Sequence, residues 1–487
     1  MRTRYDSGLA EPTSAPRVFT VGPLPPEKLA YALARYSRSP DSIAASLAWV
    51  RDHDSSKFLE SFYFQYGHAS IADLGHMAVC FEGISELAAI EVEDEALWDG
   101  QARSSRYQDF SQSGFVVPPE FTSEEAALYR EAGDRLLSAY RATHAKVAEH
   151  LREKLPRPET MKPEAYQRNI AARAFDVARY LLFLGIPTGV GQVTSIRTLE
   201  RQIRRWKASP YAELCDLGRE TAEACTRPPH VSLRAAEVGE PVAPTLAKYV
   251  DADTYPARAR AAVRQWAEQN LPTPAGLVTP AVDLVKVTDT LADIVATLLY
   301  TVTTRPYREL YAMCRSWPRT RLEEVLGVVL ADRSRRDELL REFRGGPYVY
   351  DMTIDIGAYR DMHRHRRCQQ FRQAYTWSHG WETPAAIVDS GASDLFQQAM
   401  QEASAVAERL SAPGREYLTA FGARSRFLFK MDFAEAEYIS RLRSGVKGHF
   451  SYREIAWQMK LRMEEVDPEL GRLIDATPPW IEDPLVR

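Results

Sequence analysis

The stretch Tyr348-Val349-Tyr350-Asp351-Met352-Thr353-Ile354-Asp355-Ile356 decides how the chain is read. Tyr348, Tyr350, Met352, Ile354 and Ile356 alternate with Val349, Asp351, Thr353 and Asp355. Side chains of a strand point to opposite faces in turn, so this alternation predicts a half-buried β-strand. The strand runs into Arg360-Asp361-Met362-His363-Arg364-His365-Arg366-Arg367-Cys368, with Arg372 beyond. Arginine presents a planar fork of donors that fits phosphate oxygens two at a time, so such a run after a strand can hold a pyrophosphate or a nucleotide. The plain alternative is a solvated basic helix face. On a helix the run turns through all directions, so its charges cannot all meet one ligand.

Working outward, a similar order of elements recurs in the first half. Met77, Val79 and Phe81 alternate with Ala78 and Cys80, a weaker strand signal, and lead into an acidic stretch, Glu91 to Asp99. A long helix follows each strand. One starts after Ser123 as N-cap and carries Leu128, Leu136, Tyr140, Val147 and Leu151 at near-helical spacing; the other runs from about Asp394 to Leu410. Then come Ala178-Arg179 and Ala423-Arg424, each followed by a later arginine, Arg197 and Arg443. Amphipathic helices, Tyr211 to Ala222 and Tyr452 to Met463, close the halves. Between them, Arg227 to Pro244 carries four prolines and few large apolar residues, which predicts irregular chain. The boundary is placed near residue 240, giving a duplicated chain of two repeats, 1–240 and 241–487.

Composition bounds the function. The 487 residues are 45% hydrophobic and 26% charged, ordinary values for a globular protein with its own cores. A net charge of −4 argues against a general nucleic-acid coat, so anion binding has to come from local clusters. The five scattered cysteines predict a reducing, cytoplasmic setting rather than a disulfide framework. The longest greasy stretch, Ile294 to Val302, is too short to span a bilayer, and no signal peptide is visible. Neither a Walker A loop nor a Gly-x-Gly-x-x-Gly fingerprint is present. His363, His365 and Cys368 match no standard zinc spacing, so no metal is assigned. Cys80 and Cys368 lie where cysteine usually serves as a small apolar filler, and no nucleophile is assigned.

Two further clusters complete the set. Gln101-Ala102-Arg103-Ser104-Ser105-Arg106-Tyr107 brings hydroxyl, guanidinium and phenol together, a combination suited to a phosphate and a planar base. Gly67-His68-Ala69-Ser70-Ile71-Ala72-Asp73 places a histidine, a hydroxyl and a carboxylate in one short run.

Taken in order, these pieces resemble the flavin-dependent thymidylate synthases. That family's signature is Arg-His-Arg, seven residues, then Ser-x-Arg-Tyr, preceded by Gly-His-x-Ser/Thr-x-x-Glu and a strand. Arg364-His365-Arg366 matches the first part, but Ala374 and Thr376-Trp377 stand where the serine and Arg-Tyr belong. The first half is the converse. Ser104-x-Arg106-Tyr107 matches the tail, while Asp94-Glu95-Ala96 stands where Arg-His-Arg belongs. Gly67 to Asp73 matches the upstream stretch with Asp for Glu.

The resemblance implies an α/β (α+β) fold in two tandem copies, each a twisted, largely antiparallel sheet with flanking helices. It implies reductive methylation of dUMP, or a related pyrimidine nucleotide, to dTMP, with FAD as cofactor and NADPH and methylenetetrahydrofolate as co-substrates. Ser104, Arg106, Tyr107, Arg179 and Arg197 would hold the nucleotide. His68, Ser70, Asp73, Arg364, His365 and Arg366 would hold the flavin cofactor. Family sites lie between subunits of a tetramer, so a homodimer of fused pairs would make a pseudo-tetramer. A single composite site would then join Arg-His-Arg from one half to Ser-x-Arg-Tyr from the other. A flavin- or nucleotide-binding paralogue without methyl transfer is the alternative, favoured by Asp94-Glu95-Ala96 and Ala374.

Overall fold

The computed structural model describes residues 25–37, 42–53, 71–106, 108–229, 241–245, 250–272, 279–334, 337, 339–483 and 485. His68, Ser70 and Tyr107 lie outside the described residues, as does most of the proline-rich stretch.

After helices α1 (Pro26–Tyr36) and α2 (Ile43–Asp52), strand β1 (His76–Ser85) leads through α3 (Glu86–Glu93) into β2 (Asp99–Ala102). The long α4 (Ser123–Lys154) and α5 (Pro163–Ala178) follow, then β3 (Pro187–Ser195), α6 (Ile196–Lys207) and α7 (Ala212–Cys225). Next come α8 (Tyr255–Asn270), β4 (Val282–Lys286), α9 (Thr290–Tyr300), α10 (Tyr307–Ser316) and α11 (Arg319–Leu330). Strand β5 (Tyr348–Asp355), α12 (Ile356–Met362) and β6 (Gln369–Arg372) then repeat the opening of the first half. The chain continues with α13 (Ala385–Asp389), α14 (Ser393–Ala407), β7 (Arg424–Met431), α15 (Phe433–Arg443), α16 (Phe450–Val466) and α17 (Pro468–Gly471).

The two sheets share one topology. The first has strand order β1-β3-β2 and the second β4-β5-β7-β6, and every pairing is antiparallel. Thus β5-β7-β6 repeats β1-β3-β2, with β4 added at one edge. The same local chemistry ends β1, β3, β5 and β7. Ser85 Oγ accepts from Ala88 N to cap α3, and Asp355 Oδ1 accepts from Ala358 N to cap α12. Ser195 caps α6 and Asp432 caps α15 in the same way. These side chains satisfy amides that the first helical turn leaves without partners, so β1, β3, β5 and β7 each pass straight into a helix. The copies differ at one bulge in β1, where Gly83 has φ 70° and shifts the register between Glu82 and Ile84.

The halves mate around a local twofold. The segments before β3 and β7 exchange backbone hydrogen bonds: Phe421 N to Leu182 O at 2.7 Å, Gly185 N to Tyr417 O at 2.8 Å and Gly422 N to Tyr180 O at 3.0 Å. At their centre Phe183 bridges Ala420 in antiparallel sense. Each stands four residues before its strand, so the bridge joins equivalent positions. The long helices α4 and α14 pack beside it, and one apolar core runs through both halves. A second core lies beneath α8 to α11 and covers the far face of the second sheet through Val349, Phe371 and Leu428. The first sheet has no such cover among the described residues, and Ala78, Cys80 and Val193 are exposed on it.

Two expectations need adjustment. The N-cap of α4 is Thr122, one residue before Ser123, because Thr122 and Glu125 form a reciprocal capping box. The arginine pairs are also not equivalent. Arg179 stands eight residues before β3, where the second half has Glu416; Arg424 is already the first residue of β7. Arg197 lies on the first turn of α6, whereas Arg443 ends α15. The order of elements repeats, but spacing between arginines does not identify their places in the fold.

Candidate functional site

The run after β5 alternates inward and outward, as a turning chain requires. Met362, His363, His365 and Cys368 are buried, while Arg364 and Arg367 are exposed. His363 is tied to Gln370 Oε1 at 2.8 Å, and Cys368 Sγ to His365 O at 3.0 Å. Arg364 and Arg367 make no ion pair among the described residues. Arg366 lies over Trp98 and reaches Asp99 Oδ1 at 2.7 Å.

The segment after β2 meets this run directly. Arg360 Nη1 donates to Ser105 Oγ at 3.1 Å, and Arg360 Nη2 lies 2.7 Å from Glu86 Oε2. Arg106 places Nε and Nη2 on the Asp176 carboxylate, at 2.7 and 3.2 Å, and Nη1 on the Tyr452 hydroxyl at 3.1 Å. Ser104 Oγ accepts from Arg106 N at 3.3 Å and so shapes the turn. Tyr452 lies between two cations, Arg106 at 5.8 Å and Arg443 at 5.7 Å from its ring centre. Arg443 Nε donates to His365 Nε2 at 2.7 Å. A chain of contacts therefore links Ser104 and Arg106 of the first half, through Tyr452 and Arg443, to His365 of the second. Arg179 joins the same cluster, donating to Asp361 Oδ2 at 3.1 Å and Gly357 O at 3.3 Å.

Electrostatics divide the cluster into layers. Arg106 and Arg179 are buried. Burial opposes both charges, but Asp176 holds Arg106 protonated and Asp361 does the same for Arg179. His365 accepts from Arg443 on Nε2, which leaves the proton on Nδ1, 3.6 Å from Glu435. Burial pushes its pKa down; Glu435 pulls it up, and Arg443 reinforces burial. His449 is wholly buried, donates from Nε2 to Asp176 O at 2.9 Å and stacks on Tyr180. Burial, then Arg179 and Arg106, hold it well below the usual imidazole range. Arg364 faces solvent, and Arg443, against His365, is half-buried.

Arg197 and Asp73 stand apart from this cluster. They pair with each other at 3.0 Å at the start of α6, where Asp73 also accepts from Ser195. Sequence reasoning missed Asp176, His449, Tyr452 and Glu86. Charge balance was the available signal for the carboxylates, because buried arginines need them.

The twofold-related place has the opposite character. Asp94-Glu95-Ala96 follows α3 as Arg364-His365-Arg366 follows α12, nine residues after the capping residue in each case. Asp94 pairs with Arg341 at 2.7 Å, Glu95 with Arg201 at 2.8 Å and Glu91 with Arg372 at 2.6 Å. Burial would raise the Asp94 pKa, but Arg341 and Arg205 hold it well below the usual range. The loop after β6 brings Ala374, with no hydroxyl to match Ser104, and Tyr375 N donates to Glu416.

With two sheets of one topology and a cationic cluster shared between halves, the chain belongs to the family described as thymidylate synthase complementing protein, Thy1, which matches residues 22–227 and 330–469. It is similar to a UPF0159 protein of Thermoplasma acidophilum, 24% identical over 490 residues, which cover 91% of this chain and 93% of that protein. A UPF0159 protein of Chlamydia pneumoniae is 24% identical over 426 residues, 85% of this chain and 79% of that one. Among solved structures, thymidylate synthase X of Helicobacter pylori with FAD and dUMP aligns with TM-score 0.28 at 15% identity, over 41% of this chain and 88% of that one.

Proposed function

We propose that the chain is a flavin-dependent thymidylate synthase-like enzyme that reductively methylates dUMP, or a related pyrimidine nucleotide, to dTMP. FAD, methylenetetrahydrofolate and NADPH would serve it, in the cytoplasm, and the active form would be a homodimer of two-repeat chains, each divided at 240/241. The observation that carries this reading is the meeting of the Ser104–Arg106 loop with the run from Arg360 to Arg366 across the two halves. Family membership supports it, and the Helicobacter pylori relative was solved with FAD and dUMP.

The donor set fits an anionic cofactor. Arg364 is exposed and without an acid partner among the described residues, so it can take a pyrophosphate in bidentate fashion. His365 is turned inward and orients Arg443 rather than facing a ligand. Arg106 and Arg179 supply positive potential from beneath, their carboxylate partners fixing their geometry. Tyr107, Ser104 and Arg106 would hold the nucleotide, with Arg197, Asp73, His68 and Ser70 serving a site completed by a second chain. When bound, the flavin supplies hydride chemistry. The twofold-related place is filled by its own carboxylates and would hold no anion, leaving one site of this kind per chain.

Purified protein should carry a flavin absorption band, and Arg364→Glu should abolish it; an unchanged band would remove Arg364 from the cofactor site. Complementation of a thymidine-requiring strain tests the reaction. A second reading, a flavin- or nucleotide-binding paralogue without methyl transfer, is favoured by the internal neutralisation of Arg106 and Arg179. Bound flavin without complementation would select it.

A further inference from the structure

Glu86 is the first residue of α3 and is 1% exposed. Its Oε2 lies 2.7 Å from Arg360 Nη2, yet neither carboxylate oxygen accepts a well-angled hydrogen bond among the described residues. A buried carboxylate with unfilled lone pairs is costly. The fold does not demand an acid here, because Ile356 holds the corresponding place in the second half, directly after the capping residue.

We propose that Glu86 is a proton-linked positioning residue of the composite site: ionised, it holds Arg360 against Ser105, and protonated, it frees Arg360 for an anion bound between the halves. The proposal deepens the nucleotide-site reading and rests on it. Arg360 touches both Glu86 and the Ser104–Arg106 loop, with a different guanidinium nitrogen on each. An anion arriving at this guanidinium meets the Glu86 carboxylate on the same cation. Two negative groups sharing a buried site cannot both stay ionised cheaply, so the weaker acid takes a proton. Charged groups around Glu86 are Arg360 and Arg364 from the second half, Arg179 before β3 and Glu93 on its own helix. Burial raises the Glu86 pKa to about 7, Arg360, Arg364 and Arg179 opposing and Glu93 adding to the rise, so the proton exchanges near neutrality.

Below pH ~7 Glu86 is already neutral and anion binding is unhindered. Above it, binding has to take up a proton, and affinity falls about tenfold per pH unit. The test is titration of dUMP, and separately of inorganic sulfate, into wild type, Glu86→Gln and Glu86→Ile between pH 6 and 8.5. Taking the ratio of wild-type to variant Kd cancels the nucleotide's own phosphate titration. The ratio should be near one at pH 6 and rise about tenfold per unit above neutrality, with wild type alone taking up a proton in calorimetry across buffers. Glu86→Ile carries the residue of the sister half and serves where Glu86→Gln folds poorly. Parallel curves for both anions overturn the proposal while leaving dUMP binding intact. Proton-linked sulfate binding without dUMP binding sustains the proposal and sinks the nucleotide reading. Absence of binding by either anion overturns both.

Discussion

Arg179 is 1% exposed and its charge is balanced by a carboxylate from the other half of the chain. Taking a guanidinium out of water is expensive, and the Asp361 oxygen and Gly357 carbonyl offset that only while both remain in place. Asp361→Asn should therefore cost about 3–5 kcal/mol, because it leaves a buried cation short of a counter-charge. Urea unfolding with a midpoint close to wild type would contradict this. Asp361 lies inside the basic run, and its meaning is legible only once Arg179 is known to lie beneath it. The same holds for Arg106 and Asp176, 70 residues apart in sequence. Motif reading found the cations and not the anions that fix them, because complementary charges need no fixed spacing along a chain.

Among the elements, the strand-to-helix junctions position the site. Ser85 both caps α3 and donates to Glu213 Oε2 at 2.6 Å, while its backbone N–H donates to Glu213 Oε1 at 2.8 Å. Ser85→Ala removes the cap and one bond to a charged partner. A loss of about 2–3 kcal/mol is expected, with faster amide exchange confined first to α3; unchanged exchange there would show that the cap is not limiting. Much of this level was legible in the sequence. β5 was visible from its alternation, and β1 more faintly, because its bulge at Gly83 interrupts the pattern. The order strand, charged run, long helix, arginine-bearing segment and closing helix appeared twice, but β3 and β7 were not read as strands. The helices covering the second sheet were not anticipated as a separate layer. Their greasiest stretch, Ile294 to Val302, was read only as too short to span a bilayer, and nothing local distinguishes a helix that covers a sheet from one that fills a core.

At the scale of the whole molecule, the layer α8 to α11 makes the two copies unequal. It is held to β7 by Lys430, fully buried, whose Nζ lies 2.7 Å from Asp293 and 3.0 Å from Thr297 Oγ1, with Tyr307 donating to Asp293 at 2.6 Å. Lys430→Met should leave Asp293 buried and unmatched at a cost of about 3–5 kcal/mol, read as early proteolysis within 255–330. Glu402→Ala, which breaks the exposed pair with Arg135 at 3.0 Å, should change stability by less than about 0.5 kcal/mol. Equal effects from the two would mean that the layer is not anchored through Lys430.

The bridge between Phe183 and Ala420 has a consequence for descent. Its hydrogen-bonding partners are main-chain atoms, which a missense change to any residue but proline leaves in place. Drift could therefore make the copies unlike each other without loosening the joint where they meet. A gene carrying such a joint was free to lose one signature from the first copy and another from the second, provided that one complete set survived across the seam.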